Sequence, residues 1–141
     1  MKNISLLTAV FFSILFVSCK RTFQPIEYGK EACSHCKMTI MDKKFACEIV
    51  DKKGKVFKFD DMLCMKDFAN DKKLNDEELL LFVADYKNPD SKFLDVKNAY
   101  LLHSEAFKTP MNGHIAAFSS SDEVSGSDQT NAQPIDWSNL K

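Results

Sequence analysis

The sequence predicts an α+β domain, and three observations predict it: two alternating runs joined by a glycine turn, an apolar helical stripe directly after them, and a weaker second pass of the same grammar. In the first run, Phe45-Ala46-Cys47-Glu48-Ile49-Val50, residues Phe45, Cys47 and Ile49 share one face. Asp51-Lys52-Lys53-Gly54 supplies a turn, and Lys55-Val56-Phe57-Lys58-Phe59 alternates again, so the two runs read as a hairpin. Asp60 or Asp61 then N-caps a helix in which Met62, Met65, Phe68 and Ala69 recur at three- and four-residue steps, ending near Asn70. Leu79 to Val83 is a continuous apolar run expected to form a third strand, and Asn88-Pro89-Asp90 breaks the chain.

The second pass is shorter. Asn98 to His103 reads as a strand, Ile115-Ala116-Ala117-Phe118 as its neighbour, and Ser120-Ser121-Asp122-Glu123 as a capping box opening a short helix. Phe59 before Asp60-Asp61 and Phe118 before the serines occupy equivalent places, which gives a weak repeat of strand, strand, helix, strand. The second copy decays into Ser125 to Gln133, a polar run, after which Pro134-Ile135-Asp136-Trp137 is expected to dock back through Trp137.

The start of the chain bears on compartment. Met1-Lys2-Asn3 is a short basic stretch and Ile4 to Val17 a mostly apolar run, short for a bilayer span but suited to a signal peptide over residues 1–18. The run ends Leu15-Phe16-Val17-Ser18-Cys19, which resembles the bacterial lipobox, with Phe16 where leucine is usual. An ordinary secretory signal is the other reading; a cysteine directly after a small residue favours lipidation at Cys19. Each buried acyl methylene contributes about 0.8 kcal/mol, so two or three chains hold a protein on a membrane. Residues 19–30, with Pro25 and Gly29, then read as a lipidated tether.

Removing residues 1–18 leaves 123 residues, enough for one small domain or two half-domains sharing a core. Eighteen basic side chains then face 20 acidic ones, a net of −2. No basic stripe or aromatic platform points to nucleic acid. With Cys19 acylated, Cys33, Cys36, Cys47 and Cys64 remain, and in an exported protein any thiol function must survive an oxidising space.

Ala32-Cys33-Ser34-His35-Cys36-Lys37-Met38-Thr39-Ile40 gathers two cysteines, a histidine and a methionine within six positions. If the chain is extended after the pair, Cys36 and Met38 face one side together, and a thiolate beside a thioether selects Cu(I). Met38 as plain core is the competing account. Attachment of c-type haem needs C-x-x-C-H, whereas His35 lies inside the pair and Lys37 follows it. A four-cysteine zinc site wants a second C-x-x-C, and Cys47 and Cys64 are isolated at apolar positions, which disfavours zinc without excluding it. A thioredoxin-type dithiol opens a helix, while Thr39-Ile40 looks extended. A zinc-stabilised binding module and a C-x-x-C thiol-disulfide oxidoreductase therefore stand as the alternatives. Cys33 and Cys36 are also close enough in sequence to close a disulfide.

Farther on, Met111 sits between Pro110 and an Asn112-Gly113 turn, with little to pack on, which makes it a candidate ligand. His114 and His103 could approach it, although a lone histidine beside a strand is more often hydrogen-bonded structure. Met62, Cys64 and Met65 share the helix with Phe68 and read as core, and Met41 is left unassigned.

Taken in order, Cys33-Ser34-His35-Cys36-Lys37-Met38, Phe45-Ala46, Phe59-Asp60-Asp61 with Cys64 after it, Thr109-Pro110-Met111 and Ile115-Ala116-Ala117-Phe118 resemble the NosL family of copper-binding lipoproteins, over roughly residues 31–137. The resemblance implies two related ββαβ halves with small antiparallel sheets and an organomercurial-lyase-like topology, spanning about residues 31–87 and 91–141 of a domain over 31–141. It implies a carrier, not an enzyme, that binds one Cu(I) through Cys36, Met38 and Met111, with Cys33, His35 and His114 as further candidate donors. It also implies a lipid anchor at Cys19 on the periplasmic face of a bacterial membrane, expected to be the outer membrane. The client implied is nitrous-oxide reductase, with an ABC-type maturation complex as partner. Lys37 departs from the family's usual glycine and sets a positive charge beside the thiols.

Overall fold

The computed structural model describes residues 21–124 and 131–140; the signal segment, Cys19 and most of the polar run after Val124 lie outside the described residues. Strands β1 (Cys47–Val50) and β2 (Val56–Phe59) form the expected hairpin, with Cys47 opposite Phe59 and Val50 opposite Val56. Asp51 organises its turn: the backbone N–H groups of Lys53 and Lys55 both donate to its carboxylate, and Gly54 takes φ = 82°, a conformation glycine adopts freely. Helix α1 (Met62–Asp71) follows, N-capped by Asp61, whose carboxylate accepts the Cys64 N–H at 2.9 Å. Its apolar stripe lies on the hairpin, where Phe68 meets the rings of Phe57 and Phe59 at 4.8 and 5.2 Å.

Strand β3 (Leu80–Ala84) pairs with β1, and β4 (Phe93–Asp95) pairs with β3, giving a four-stranded antiparallel sheet in the order β2-β1-β3-β4. β4 has no counterpart in the sequence reading; three residues between Lys92 and Val96 are too few to show alternation. It carries the first sheet to Asp95, past the break expected at Asn88-Pro89-Asp90. The second sheet holds β5 (Tyr100–His103), β6 (Ile115–Phe118) and β7 (Gln133–Pro134) in the order β6-β5-β7. In both sheets the first strand of the unit lies between the second and third, so the internal repeat has a topological basis. The second unit has a single 3₁₀ turn at Ser121–Val124 where the first has α1. The Glu123 carboxylate reaches back to the Ser119 N–H, one residue earlier than the expected capping box.

A parallel bridge between Asp85 and Ala117, with Tyr86 N–H donating to Ala117 O at 2.9 Å, joins the two sheets. Trp137 docks as expected: it is buried, its Nε1 donates to Asp76 at 2.9 Å, and the Lys66 ammonium sits 4.4 Å over its ring.

One face of the first sheet differs from expectation. Alternation in β1 puts Glu48 outward, yet all four β1 residues are buried. The cause is the segment read as a tether. Residues 21–30 lie across the outer face as a strap: Phe23 stacks on Phe93 at 4.1 Å, Ile26 is buried, and Arg21 donates to the carbonyls of Val50 and Glu78. The Gln24 N–H donates to Glu48 Oε1 at 2.9 Å, and Lys58 Nζ donates to Pro25 O and to both Glu31 oxygens. Burial pushes the Glu48 carboxyl up to about 7.

Candidate metal centre

The C-x-x-C segment folds as a tight turn. Cys33 N–H donates to Met38 O at 2.8 Å, Lys37 N–H donates back to Cys33 O at 3.1 Å, and Ala32 bridges Thr39. Lys37 closes the turn with φ = 69°, a left-handed conformation that suits glycine better than lysine. Ser34 fastens the turn to β2, its N–H donating to Lys58 O and its hydroxyl accepting the Lys58 N–H. The extended backbone assumed for Cys36 and Met38 begins only at Thr39, so strand alternation does not set their directions.

Inside the turn the Cys33 sulfur accepts from the Cys64 thiol and from the backbone N–H groups of Asp60, His35 and Cys36. Cys64 arrives from the first turn of α1, where the Asp61 cap fixes its backbone. Cys36 donates its thiol to Asp60 Oδ2 at 3.2 Å, and the other Asp60 oxygen accepts the Asp61 N–H at 3.0 Å. The donor atoms of Cys33, Cys36, Asp60 and Cys64 all lie within 4.8 Å of one another. Cys33, Asp60 and Cys64 are buried and Cys36 is half-buried.

These contacts divide the thiols. The Cys64 hydrogen bond, helped by the backbone N–H groups and opposed by burial, lowers Cys33 below the ordinary thiol value and favours its ionised form. Cys64, as the donor to Cys33, is held well above the ordinary thiol value. Burial, joined by the Asp60 carboxylate, pushes Cys36 up to about 11 against the Met38 N–H, which favours its thiolate. Cys47 takes no part: it is fully buried in β1 and its thiol donates to Phe45 O.

Three methionines are exposed. Met38, Met41 and Met111 are the exposed large hydrophobic side chains among the described residues. Met111 belongs to the second half, but its N–H donates to Asp61 Oδ2 at 2.9 Å while the other Asp61 oxygen holds Cys64. One carboxylate thus ties the Met111 loop to the helix end that carries Cys64. Gly113 lets the loop approach, since a Cβ there would fall 2.9 Å from Leu63 Cβ.

The histidines stand outside the four-donor cluster. His35 Nδ1 lies 3.8 Å from Asp71 at the far end of α1, and His114 sits between Phe107 O and Glu105, with the His103 ring 6.1 Å away. Asp60 and Cys64 are the residues that sequence reasoning passed over. Cys64 occupies a helix position that reads as core, and its only signal is its spacing from Phe59-Asp60-Asp61.

The NosL family profile matches residues 25–126, which takes in the thiol turn, Asp60, Cys64 and the Met111 loop. The chain belongs to the NosL family. Its fold is similar to the crystal structure of the copper chaperone NosL from Shewanella denitrificans, with a TM-score of 0.68 over 86% of this chain and 97% of that one, at 18% sequence identity. Among curated protein sequences, none matches the chain.

Proposed function

We propose that this NosL-family protein is a Cu(I) carrier that binds the ion through Cys36, Met38 and Met111 at the mouth of the thiol cluster. The observation that carries the reading is that every large hydrophobic side chain left exposed among the described residues is a methionine. Thioethers in water lose packing but remain available to a soft ion, and with a neighbouring thiolate they fit Cu(I) better than Zn(II). A carrier must hold its cargo and then give it up, and a low-coordinate site with replaceable thioethers exchanges ligands readily. Cys36 supplies retention; Met38 and Met111 supply an exit.

The client in this reading is nitrous-oxide reductase during assembly of its copper centres, in concert with an ABC-type maturation complex. The apolar run ending Val17-Ser18-Cys19 supports export and acylation at Cys19, which would seat the protein on the periplasmic face of the outer membrane. Among the described residues no helix is long and apolar enough to cross a membrane.

Anaerobic Cu(I) titration against a competing chelator tests the binding step. Cys36→Ser should abolish most retention, while Met38→Ala and Met111→Ala each weaken it by roughly tenfold, the scale of one lost interaction of about 1.4 kcal/mol. Equal affinity in all three variants and the parent would place the site elsewhere. Acylation is read by mass spectrometry of the membrane fraction, where Cys19→Ala should lose the lipid mass.

A further inference from the structure

We propose that Lys58 is the arm of a proton-operated latch. While Glu48 is protonated, the Lys58 ammonium ties the strap to the entrance of the thiol turn through Pro25 and Glu31; when Glu48 ionises, the ammonium crosses to it and lets both go. The latch stands without the Cu(I) reading, because it concerns the order of residues 24–40 and not what they carry.

Lys58 and Glu48 are direct cross-strand partners on β2 and β1, so their side chains leave the same face of the sheet, the face that the strap covers. The two residues divide the strap between them. Glu48 Oε1 accepts the Gln24 N–H at 2.9 Å, while Lys58 Nζ donates to Pro25 O at 2.7 Å and to both Glu31 oxygens at 2.8 Å. Glu48 is fully buried and its Oε2 has no hydrogen-bond partner. An ionised carboxylate is costly in such a place until a cation reaches it, and Lys58 stands one strand spacing away, about 4.8 Å, on a flexible stem.

The charged groups that face Glu48 are Lys58 from β2 and Glu31 from the start of the thiol turn. β3 presents Phe82 opposite it, and Arg21 of the strap donates to the carbonyls of Val50 and Glu78. One cation therefore serves two carboxylates. Burial pushes Glu48 up to about 7 against the pull of the Gln24 N–H and Lys58. Below that pH Glu48 keeps its proton and Glu31 keeps Lys58; above it the proton goes to solvent and the deeper carboxylate claims the arm.

Release at Lys58 reaches the thiol turn through Glu31. The Glu31 carboxylate also accepts the Glu27 N–H at 2.6 Å, its own N–H donates to Glu27 O, and its carbonyl accepts the Ile40 N–H at 2.9 Å. The Gly29 N–H donates to Ile40 O in return, so the turn from Ala32 to Thr39 hangs between two edges that Glu31 stitches together. Its other fastening, Ser34 to the Lys58 backbone, does not involve the ammonium and remains as a pivot.

Hydrogen exchange of the full chain at pH 5 and pH 8, corrected for intrinsic rates, tests the latch. In the parent the amides of Gln24, Gly29, Glu31 and Ile40 should lose protection about tenfold or more between the two pH values, while those of β5 and β6 hold. Glu48→Gln, which never ionises, should stay protected at both. Lys58→Met keeps the apolar stem without the charge and should be open at the same amides already at pH 5. Equal protection of the parent at both pH values overturns the latch, as does an equal loss in Glu48→Gln, and these two proteins decide the question without a variant that folds poorly. A loss that extends to β5 and β6 is global unfolding and overturns it too. Parent-like protection of Lys58→Met at pH 5 would remove Lys58 as the arm.

Discussion

Lys37 holds φ at 69° in the turn between the thiol pair and Met38, a conformation that costs an L-residue with a Cβ about 1–2 kcal/mol. Glycine relieves that cost but gives back some in the unfolded chain. Lys37→Gly is therefore expected to raise stability by up to about 1 kcal/mol, read as a higher urea midpoint at unchanged slope. Asp61 is the more consequential residue, because its two oxygens hold the N–H groups of Cys64 and Met111. Asp61→Ala should cost about 2–3 kcal/mol, a lost N-cap plus an abandoned hydrogen bond, and Asp61→Asn, with one acceptor oxygen, a smaller amount. Chemical denaturation of the three proteins gives the ranking; equal midpoints would show that the cap carries nothing. At this scale Cys33 and Cys36 were legible, because C-x-x-C is a local pattern. Asp60 and Cys64 were not, because their convergence depends on how α1 meets the turn.

Among the elements, the hairpin and α1 follow from alternation, Asp51 to Gly54, and the Asp-capped stripe, all signals contained within a few residues. β4 and β7 have three and two residues and owe their extended state to the partners they pair with, which no local pattern records. The buried face of β1 is the third such case, since only the strap explains why Glu48 is inside. That burial has a pH signature. A carboxyl raised from an unfolded value of 4.5 to about 7 contributes fully below pH 4.5, and the contribution is lost as pH rises through 7. The protein should be less stable at pH 8 than at pH 5 from this group, by at most about 3 kcal/mol. Glu48→Gln keeps an acceptor for the Gln24 N–H and should flatten the difference; a persisting pH dependence would assign it to other groups.

For the whole molecule, the strap and the two sheets contribute to one buried core, in which Ile26 joins residues of the first sheet and Leu101, Ile115 and Ala117 of the second. Deleting residues 21–26 uncovers Phe82, Phe93 and Glu48 together, so stability should fall by several kcal/mol, as for loss of a large buried side chain. The same deletion rehydrates Glu48 and should abolish its share of the pH dependence. Thermal and urea unfolding of the truncated chain at pH 5 and pH 8 tests both at once. If the truncated chain matches the parent, the strap is an ornament on the sheet.

Arg21, at the head of the strap, is bonded to the carbonyls of Val50 and Glu78. With a lipid at Cys19, only two peptide steps separate the anchor from the first fastened residue, at most about 7 Å of chain. Such a protein has almost no radius of search. If Cys19 is acylated as proposed, it would sit down on the bilayer surface with one face permanently turned to the headgroups, and exchange of cargo would become an encounter in two dimensions, in which any client would have to come to the membrane plane. Ten glycine and serine residues inserted before Arg21 would restore a reach of roughly 17 Å without touching the fold.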